Sequence, residues 1–355
     1  MNTDELYMIR CFEIAMNGAG HVSPNPMVGA VIVKNNQVIS TGYHSKYGEV
    51  HAEVNAIKNS KENVNGSVLY CNLEPCIHLN KQTPPCVPSI ISSGIKKVVI
   101  SNIDPNPFVS GKGIQELISN SIEVITGVLE EEGKELNKFF FKYIKTGLPY
   151  VTLKIASSSD GNISRSRNEQ TWLTSHDSQI FVHQKRSIYD AILIGANTVN
   201  VDNPELTVRE IKGRNPVRII LDGNFSSSIN SKLFNDKKSR TIIIGSSIAN
   251  EKKKNEFRDL GIEVIEIEPE NESKLNLMSI MEKISELKIA SLLVEGGGEV
   301  FTQFINNNLA DEIFLLEAPI KLESGYKMPS FEYANYVLKQ KEKIGKDLLS
   351  VYKKS

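Results

Sequence analysis

Residues 51–86 decide the fold of the first half of this chain: HAEVNAIKNSKENVNGSVLYCNLEPCIHLNKQTPPC. The segment opens with a predicted helix at about His51, continues through the strand-like run SVLYCNL, and ends in a loop that contains prolines and cysteines. A helix followed directly by a buried strand is one step of an alternating α/β pattern. Such alternation favours a mostly parallel sheet that is covered by helices.

The same alternation continues on both sides of this segment. Apolar residues at helical spacing over 4–17 predict a first helix, and VGAVIV (28–33) and VISTGY (38–43) flank a Lys-Asn-Asn turn as the strands of a hairpin would. Beyond it, KKVVIS and IEVITG are strand-like, and one long helix is predicted over 130–145. Gly147 and Pro149 stand where a helix is expected to end.

After that stop the pattern restarts and predicts a second α/β unit. Its strand-like runs are PYVTLKIA, AILIGA, VRIILD, TIIIG, VIEI, SLLVEGG and EIFLLEAP. We therefore predict two domains, residues 1–146 and 147–355. A length of 355 residues agrees with two domains of roughly 150 residues each.

Composition and charge exclude several classes of protein. The chain is 40% hydrophobic and 23% charged, which is ordinary for a globular protein, and its net charge is −1. A neutral molecule has no overall attraction to polyanions or anionic membranes, which argues against a nucleic-acid or membrane partner. The chain opens with MNTDELYMIRCFEIA, in which no basic segment precedes an apolar one, and no later segment approaches about 18 consecutive apolar residues. We expect a cytoplasmic protein that acts on a small molecule, with a homo-oligomer as one expectation for its assembly.

His51, Cys76 and Cys86 are candidate zinc ligands. One imidazole and two thiolates make three ligands of a tetrahedral site and leave the fourth position open for water, as a catalytic zinc requires. Glu53 is close enough in sequence to reach that water, where a carboxylate can take up a proton and pass it to a leaving amine. The residues match the H-x-E…P-C pattern of zinc deaminases, although nine residues rather than two separate the cysteines.

Other interpretations of these residues stay open at this stage. Cys76 and Cys86 could be ordinary buried thiols, or His78 or Cys71 could close the site as a fourth ligand. Cys71 alternates within a predicted strand, which places it more readily in the core.

Two further features could contact a ligand. Asn25, between two prolines, either forms a rigid turn or offers its amide to the edge of a heterocycle, and His44 could serve a substrate or cap a strand. Six of the nine arginines lie between residues 165 and 218, where guanidinium groups could hold a phosphate.

The motifs together resemble the bifunctional riboflavin-biosynthesis deaminase/reductase family. Those similar to the deaminase half are PNPMVG (24–29), GYH (42–44), HAEVNA (51–56), LEPC (73–76), TPPC (83–86) and DPNP (104–107). Those similar to the reductase half are KIASSSDG (154–161), WLTS (172–175), GANTVNVDNPELTVR (195–209), RIILD (218–222) and VEGGG (294–298). They stand in the order of the family and cover essentially the whole chain.

The resemblance implies a cytidine-deaminase-like N-terminal domain and a dihydrofolate-reductase-like C-terminal domain. The first would hydrolyse the ring amino group of 2,5-diamino-6-(5-phosphoribosylamino)pyrimidin-4(3H)-one, giving 5-amino-6-(5-phosphoribosylamino)uracil and ammonia. The second would reduce the ribosyl group of that product to ribityl with NADPH.

The resemblance also implies roles for single residues. His51, Cys76 and Cys86 would hold Zn²⁺ and Glu53 would carry the proton. Apart from the resemblance, the amide of Asn25 leads us to expect that this residue contacts the substrate. The residues implied to line the NADPH site are Ala156, Trp172, Thr198, Asp202, Gly296, Gly297 and Gly298. Those implied to contact the phosphoribosyl substrate are Gln170, Arg186, Leu206, Arg209 and Glu295. The run VEGGG ends a predicted strand and opens a helix, so its backbone N–H groups can meet a phosphate.

The sequence departs from the family pattern in two places. The loop between Cys76 and Cys86 is one residue longer than usual and lacks the usual serine and glycine. We expect His78 and Lys81 to keep their roles, whereas the conformation of the loop and its substrate contacts are expected to differ. Ser159 replaces a usual leucine and is expected to line the reductase cleft. The rival functions are a nucleic-acid base deaminase of the transfer-RNA type, a zinc-stabilised binding module without activity, and a chain in which only one half is active.

Overall fold

The computed structural model describes residues 2–77, 84–271, 274–331 and 336–355. The chain divides into two compact units, Met1–Leu148 (unit 1) and Pro149–Ser355 (unit 2). Among the helices of these ranges, none combines the length and apolar character that a bilayer span requires.

Unit 1 is built on a sheet whose strands lie in the order β2-β1-β3-β4-β5. The strands are β1 (Gly29–Lys34), β2 (Gln37–Tyr43), β3 (Val68–Leu73), β4 (Lys97–Asn102) and β5 (Glu123–Ile125). The helices are α1 (Thr3–Ala15), α2 (Ala52–Asn59), α3 (Cys86–Ser92), α4 (Lys112–Ser119), α5 (Glu130–Leu136) and α6 (Lys138–Thr146). Strand β1 pairs antiparallel with β2 and β3, whereas β3, β4 and β5 are parallel, so the sheet is mixed.

The predicted hairpin is confirmed as β1 and β2. Asn35 and Asn36 form its turn with φ angles of 50° and 60°, the left-handed region that asparagine tolerates better than most residues. Alternate residues of β1 point to opposite faces of the sheet: Ile32 packs in one apolar cluster and Val31 in another. Cys71 is fully buried in the first of these clusters, as predicted.

The single helix predicted over 130–145 is wrong, because the structure has two helices, α5 and α6, that meet at Asn137. This residue has a φ of −107°, outside the helical range. Its side chain accepts a hydrogen bond from the Met27 N–H (2.8 Å) and donates one to the Met27 carbonyl (3.0 Å). The break in the helix therefore anchors the PNPMVG segment.

Unit 2 is built on a longer sheet in the order β11-β10-β9-β8-β14-β6-β15-β18-β17. The strands of unit 2 are β6 (Tyr150–Ser158), β7 (Asn162–Ser164), β8 (Ala191–Gly195), β9 (Val217–Leu221), β10 (Thr241–Ser246), β11 (Glu263–Ile267), β12 (Pro269–Asn271), β13 (Lys274–Leu275), β14 (Ser291–Gly296), β15 (Glu312–Ala318), β16 (Tyr326–Lys327), β17 (Tyr336–Ile344) and β18 (Asp347–Lys354). The helices are α7 (His176–Ile188), α8 (Ala196–Asp202), α9 (Lys232–Asn235), α10 (Glu251–Asp259), α11 (Leu277–Glu286) and α12 (Gly298–Asn306).

The order of the strands leaves a crevice at the carboxyl ends of the central strands of this sheet. Strand β14 lies between β6 and β8 and runs parallel to both. From β8 the chain proceeds outward to β9, β10 and β11, whereas β15 lies on the other side of β6. Where successive connections diverge in this way, the carboxyl ends of parallel strands leave a crevice between them, which is where α/β proteins bind ligands.

Candidate functional sites

Three elements of unit 1 bring the candidate zinc ligands together. His51 immediately precedes α2, Cys76 follows the end of β3, and Cys86 is the first residue of α3. Helix α2 lies close against β2 because residue 42 is glycine: a Cβ atom there would collide with the backbone of α2. The N–H of Cys86 donates to the carbonyl of Cys76 (3.0 Å), which holds the two thiols side by side although nine residues separate them.

The distances within this group fit a zinc ion. His51 Nδ1 lies 3.4 Å from Cys76 Sγ and 3.3 Å from Cys86 Sγ, and the two sulfurs are 3.7 Å apart. A tetrahedral zinc with ordinary bond lengths needs about 3.8 Å between two sulfur ligands and about 3.5 Å between sulfur and nitrogen. Within the described ranges, the group consists of these three residues. His78 and Lys81 lie outside those ranges.

Glu53 lies in the first turn of α2 and is only 3% exposed. Burial raises the pKa of its carboxyl, because a dry environment disfavours the charged form, and the neighbouring His51 lowers it only in part. The Cys86 side chain lies within hydrogen-bonding reach of the Glu53 carboxyl. The carboxyl is therefore next to the ligand group and well suited to accept and release a proton.

Asn25 reaches the same region through His44. Asn25 Nδ2 lies 3.1 Å from His44 Nε2, and the ring of His44 meets the ring of His51 edge to face with centroids 5.2 Å apart. His44 Nδ1 lies 3.3 Å from the Val50 carbonyl, so a neutral ring that carries its proton on Nδ1 satisfies both contacts. The structure thus places His44 between Asn25 and a zinc ligand.

Glu74 also supports this site, a role that the sequence did not lead us to expect. Its buried carboxylate accepts hydrogen bonds from four backbone N–H groups, those of Asp104, Gly111, Gly113 and Ile114. Two of these groups belong to the first turn of α4. Glu74 therefore ties the segment that carries Cys76 to the DPNP loop, and its position two residues before that ligand was the available signal.

A cleft of about 480 Å³ lies in unit 2 at the carboxyl ends of β6, β8 and β14. The cleft is lined by every residue that the family resemblance implies for binding NADPH or the phosphoribosyl substrate. These residues are Ala156, Gln170, Trp172, Arg186, Thr198, Asp202, Leu206, Arg209, Glu295, Gly296, Gly297 and Gly298. The cleft also contains Lys154, His183 and Tyr326, which the sequence analysis did not assign. The volume is in the range of pockets for small molecules and cofactors.

The glycines of VEGGG form a narrow wall of this cleft. Gly297 has a φ of 91°, which favours glycine, and α12 begins at the next residue. A Cβ atom on Gly296 would lie 3.0 Å from Thr198, and one on Gly298 would lie 2.6 Å from the ring of Tyr326. The absence of side chains lets α8 and Tyr326 approach the start of α12, where unpaired backbone N–H groups can bind an anion.

Arg186 and Glu295 form a buried forked ion pair in the cleft. Arg186 Nε and Nη2 donate to the two carboxylate oxygens at 2.7 and 2.8 Å, and Lys154 Nζ lies 3.5 Å from one of them. Burial by itself would raise the pKa of Glu295, but Arg186 and Lys154 lower it to about 2. The fork of Arg186 thus faces a carboxylate, whereas the Arg209 side chain is 46% exposed and lies 3.7 Å from Glu210.

Two other cleft residues have distinct surroundings. Trp172 is 71% exposed although it lines the cleft, so its ring is available to a flat ligand. Burial raises the pKa of Asp202, whereas Lys154 lowers it, and Gln170 Nε2 donates to the Asp202 carbonyl at 3.4 Å.

The expectation for Ser159 is wrong. Ser159 follows the end of β6, and both its N–H and its hydroxyl donate to the Ile320 carbonyl, at 2.9 and 3.0 Å. Lys154 and Ala156, at alternate positions of β6, line the cleft instead.

Comparisons with known proteins cover both units. Residues 1–102 match the family described as the cytidine and deoxycytidylate deaminase zinc-binding region, and residues 149–347 match the RibD C-terminal domain. The riboflavin biosynthesis protein RibD of Aquifex aeolicus is 39% identical over 99% of this chain and 98% of that protein. RibD of Bacillus amyloliquefaciens is 40% identical over 92% of this chain and 87% of that protein.

A solved structure is similar to this chain over both units. The crystal structure of a diaminohydroxyphosphoribosylaminopyrimidine deaminase/5-amino-6-(5-phosphoribosylamino)uracil reductase from Thermotoga maritima has a TM-score of 0.88 and 36% sequence identity, and covers 99% of each chain. The similarity therefore extends over the whole molecule rather than over one motif.

Proposed function

The chain belongs to the RibD family of riboflavin-biosynthesis proteins, and on this basis we propose how its residues divide between two reactions. It is a bifunctional enzyme of riboflavin biosynthesis that combines a deaminase with a reductase. Unit 1 deaminates 2,5-diamino-6-(5-phosphoribosylamino)pyrimidin-4(3H)-one, and unit 2 reduces the ribosyl group of the product. A cytoplasmic location and a homo-oligomeric assembly stay predictions.

The zinc-binding geometry beside a buried carboxyl carries the first assignment. His51, Cys76 and Cys86 hold the ion, since their mutual distances suit tetrahedral coordination. Bound zinc supplies Lewis-acid activation of a water molecule. Glu53 takes up a proton at its carboxylate and delivers it to the departing amine, a role that its burial and raised pKa favour.

The cleft of unit 2 supports the second assignment. Ala156, Trp172, Thr198, Asp202 and the three glycines would hold NADPH, and the backbone N–H groups at the start of α12 are suited to bind phosphate. NADPH supplies the hydride for the reduction. Gln170, Arg186, Leu206, Arg209 and Glu295 contact the phosphoribosyl substrate. Glu295, kept ionised by Arg186, accepts hydrogen bonds from sugar hydroxyls, and Arg209 binds the phosphate.

The proposal is tested by following the purified full-length chain with the diaminopyrimidine phosphate, with and without NADPH, by mass spectrometry. Without NADPH we expect only replacement of the amino group by oxygen, and with NADPH also the gain of two hydrogens. Conversion that stops after deamination in the presence of NADPH would mean that the reductase half is inactive. Two substitutions complete the test. NADH in place of NADPH should support little reduction, and an RNA oligonucleotide in place of the pyrimidine should not be deaminated efficiently.

A further inference from the structure

His183 lies in the wall of the reductase cleft, and the assignments above give it no part. It belongs to α7, three residues before Arg186, so the two side chains project from the same side of the helix. The residue is only 3% exposed, yet it contributes to the lining of the cleft.

The ring of His183 binds the backbone next to Arg209. His183 Nδ1 accepts hydrogen bonds from the N–H groups of Arg209 (3.0 Å) and Glu210 (3.4 Å). A ring nitrogen that accepts hydrogen bonds carries no proton, so the neutral ring has its proton on Nε2.

The segment 206–210 that presents Arg209 has no regular secondary structure, and side chains hold it in place. Leu206 has a φ of 54°, a conformation that a leucine does not adopt without support from its surroundings. Arg186 Nη1 donates to the Thr207 carbonyl (3.0 Å), and Asn215 accepts from the Val208 N–H (2.8 Å). Together with the contacts of His183, these bonds satisfy successive backbone groups from residue 207 to residue 210.

The charges around His183 keep its ring neutral. Burial lowers its pKa most, and the neighbouring Arg186 and Arg209 lower it further; Glu295 and Glu210 act in the opposite direction, and the pKa is about 4. A neutral ring keeps Nδ1 as an acceptor at the pH at which cells operate. A protonated ring would lose this acceptor and would place a third positive charge beside two arginines.

We propose that His183 is a positioning residue of the reductase, which holds the backbone of Arg209 and Glu210 so that the Arg209 guanidinium meets the phosphate of the substrate. The inference rests on the proposed function in one respect: it takes Arg209 to be the residue that binds that phosphate. His183 acts through the backbone of another residue and is assigned no contact with the reacting atoms.

The first test separates positioning from stability by kinetics on the deaminated substrate. His183→Leu removes the acceptor and should raise the KM for this substrate by about 3- to 10-fold, with kcat and the KM for NADPH changed less than about twofold. His183→Gln should recover most of the lost affinity, because its amide oxygen can accept the same N–H group. His176→Leu, an exposed histidine of the same helix, is the matched control.

A double variant shows whether His183 acts through Arg209. Arg209→Ala alone should raise the KM by about 10- to 100-fold, and adding His183→Leu to it should raise the KM by less than about twofold more. If Arg209→Ala has no effect, the assignment of Arg209 in the proposed function is wrong. If Arg209→Ala acts as expected but His183→Leu does not, or if the two effects multiply, the positioning role is wrong.

A spectroscopic measurement on the parent chain reports the protonation state of the His183 ring directly. With ¹⁵N-labelled histidine, the side-chain nitrogen shifts of His183 at neutral pH should show a neutral ring protonated on Nε2. The His183→Gln spectrum assigns the signal among the six histidines. A charged ring, or one with its proton on Nδ1, would overturn the proposal.

Discussion

Glu53 and Glu295 are both almost completely buried, yet their surroundings shift their pKa values in opposite directions. For Glu53, burial outweighs the nearby His51 and raises the pKa, so the carboxyl can hold a proton. For Glu295, two cations outweigh burial and lower the pKa to about 2, so the carboxylate stays charged. The two carboxyl groups, proposed to transfer a proton and to accept hydrogen bonds from a sugar, therefore differ in their neighbours rather than in their chemistry.

Removal of one thiol should remove the zinc. We expect Cys76→Ser or Cys86→Ser to reduce the zinc content from one ion per chain to a small fraction of that value, because two ligands rarely retain the ion. Elemental analysis of purified protein measures it. Cys71→Ser is the matched control, since Cys71 is buried in the same unit but outside the ligand group. Full zinc content in both ligand variants would contradict the assignment.

Glu53→Gln should abolish deamination without loss of zinc. The amide has the same shape but cannot carry the proton, so we expect the deamination rate to fall by at least about 100-fold. Reduction of the deaminated substrate and the zinc content should stay at parent values, and Glu62→Gln, an exposed glutamate of the same unit, should leave both activities unchanged. Deamination within twofold of the parent would place proton transfer elsewhere.

The lowered pKa of His183 makes the stability of the parent depend on pH. In the unfolded chain this imidazole takes up a proton as the pH falls through about 6.5, whereas in the folded chain it does so only near 4. The unfolded state therefore binds more protons within this window, and the free energy of unfolding falls as the pH falls.

The corresponding measurement compares variants at neutral and acid pH. His183→Gln lacks this titration. Its Tm relative to that of the parent should therefore rise as the pH is lowered from 7 to 5. A constant difference between His183→Gln and the parent over this range would mean that His183 titrates at its ordinary pKa in the folded protein.

At the scale of elements, long-range side-chain contacts fix the irregular segments of both sites. Asn137 interrupts a helix to bind the backbone of Met27, and Glu74 gathers four N–H groups of a loop and of the start of α4. In unit 2 Arg186 of α7 donates to the Thr207 carbonyl of the irregular segment 206–210 (3.0 Å). In each case a polar side chain on one element replaces the regular hydrogen bonds that a loop lacks.

Arg186 and Arg209 should therefore differ in their effect on stability. Arg186→Ala leaves the Glu295 carboxylate buried without its main partner, and removal of one member of such a pair costs about 3–5 kcal/mol. Arg209 is partly exposed, and its replacement by alanine should change the free energy of unfolding by less than about 0.5 kcal/mol. Denaturant unfolding of the two variants measures the difference. If Arg186→Ala lowers the free energy of unfolding as little as Arg209→Ala does, the pairing of Arg186 with Glu295 is not needed for stability.

In the whole molecule, each of the two compact units contains its own candidate site. The zinc-ligand group lies entirely in unit 1, and the lining of the reductase cleft lies entirely in unit 2. One family model covers residues 1–102, within unit 1, and the other begins at residue 149, the first residue of unit 2. Each unit thus contains the side chains that its proposed reaction uses.

The two activities should be separable. A fragment that begins at Pro149 keeps the whole sheet of unit 2 and should reduce the deaminated substrate with NADPH, while it neither deaminates nor contains stoichiometric zinc. Circular dichroism establishes that the fragment is folded, and NADPH oxidation measures its activity. A folded fragment that oxidises no NADPH with that substrate would show that unit 2 depends on unit 1.

Local patterns were enough to predict the alternation of helices and strands, the hairpin of β1 and β2, and the types of residue that could bind zinc, because periodicity and ligand chemistry are local properties. The tertiary structure alone decided that Arg186 faces Glu295, 109 residues away, that His183 holds the backbone of Arg209, and that Asn137 divides a predicted helix. A polar side chain binds whichever group the folded chain brings within about 3 Å of it. Its partner therefore depends on how distant segments converge, and no local pattern carries that information.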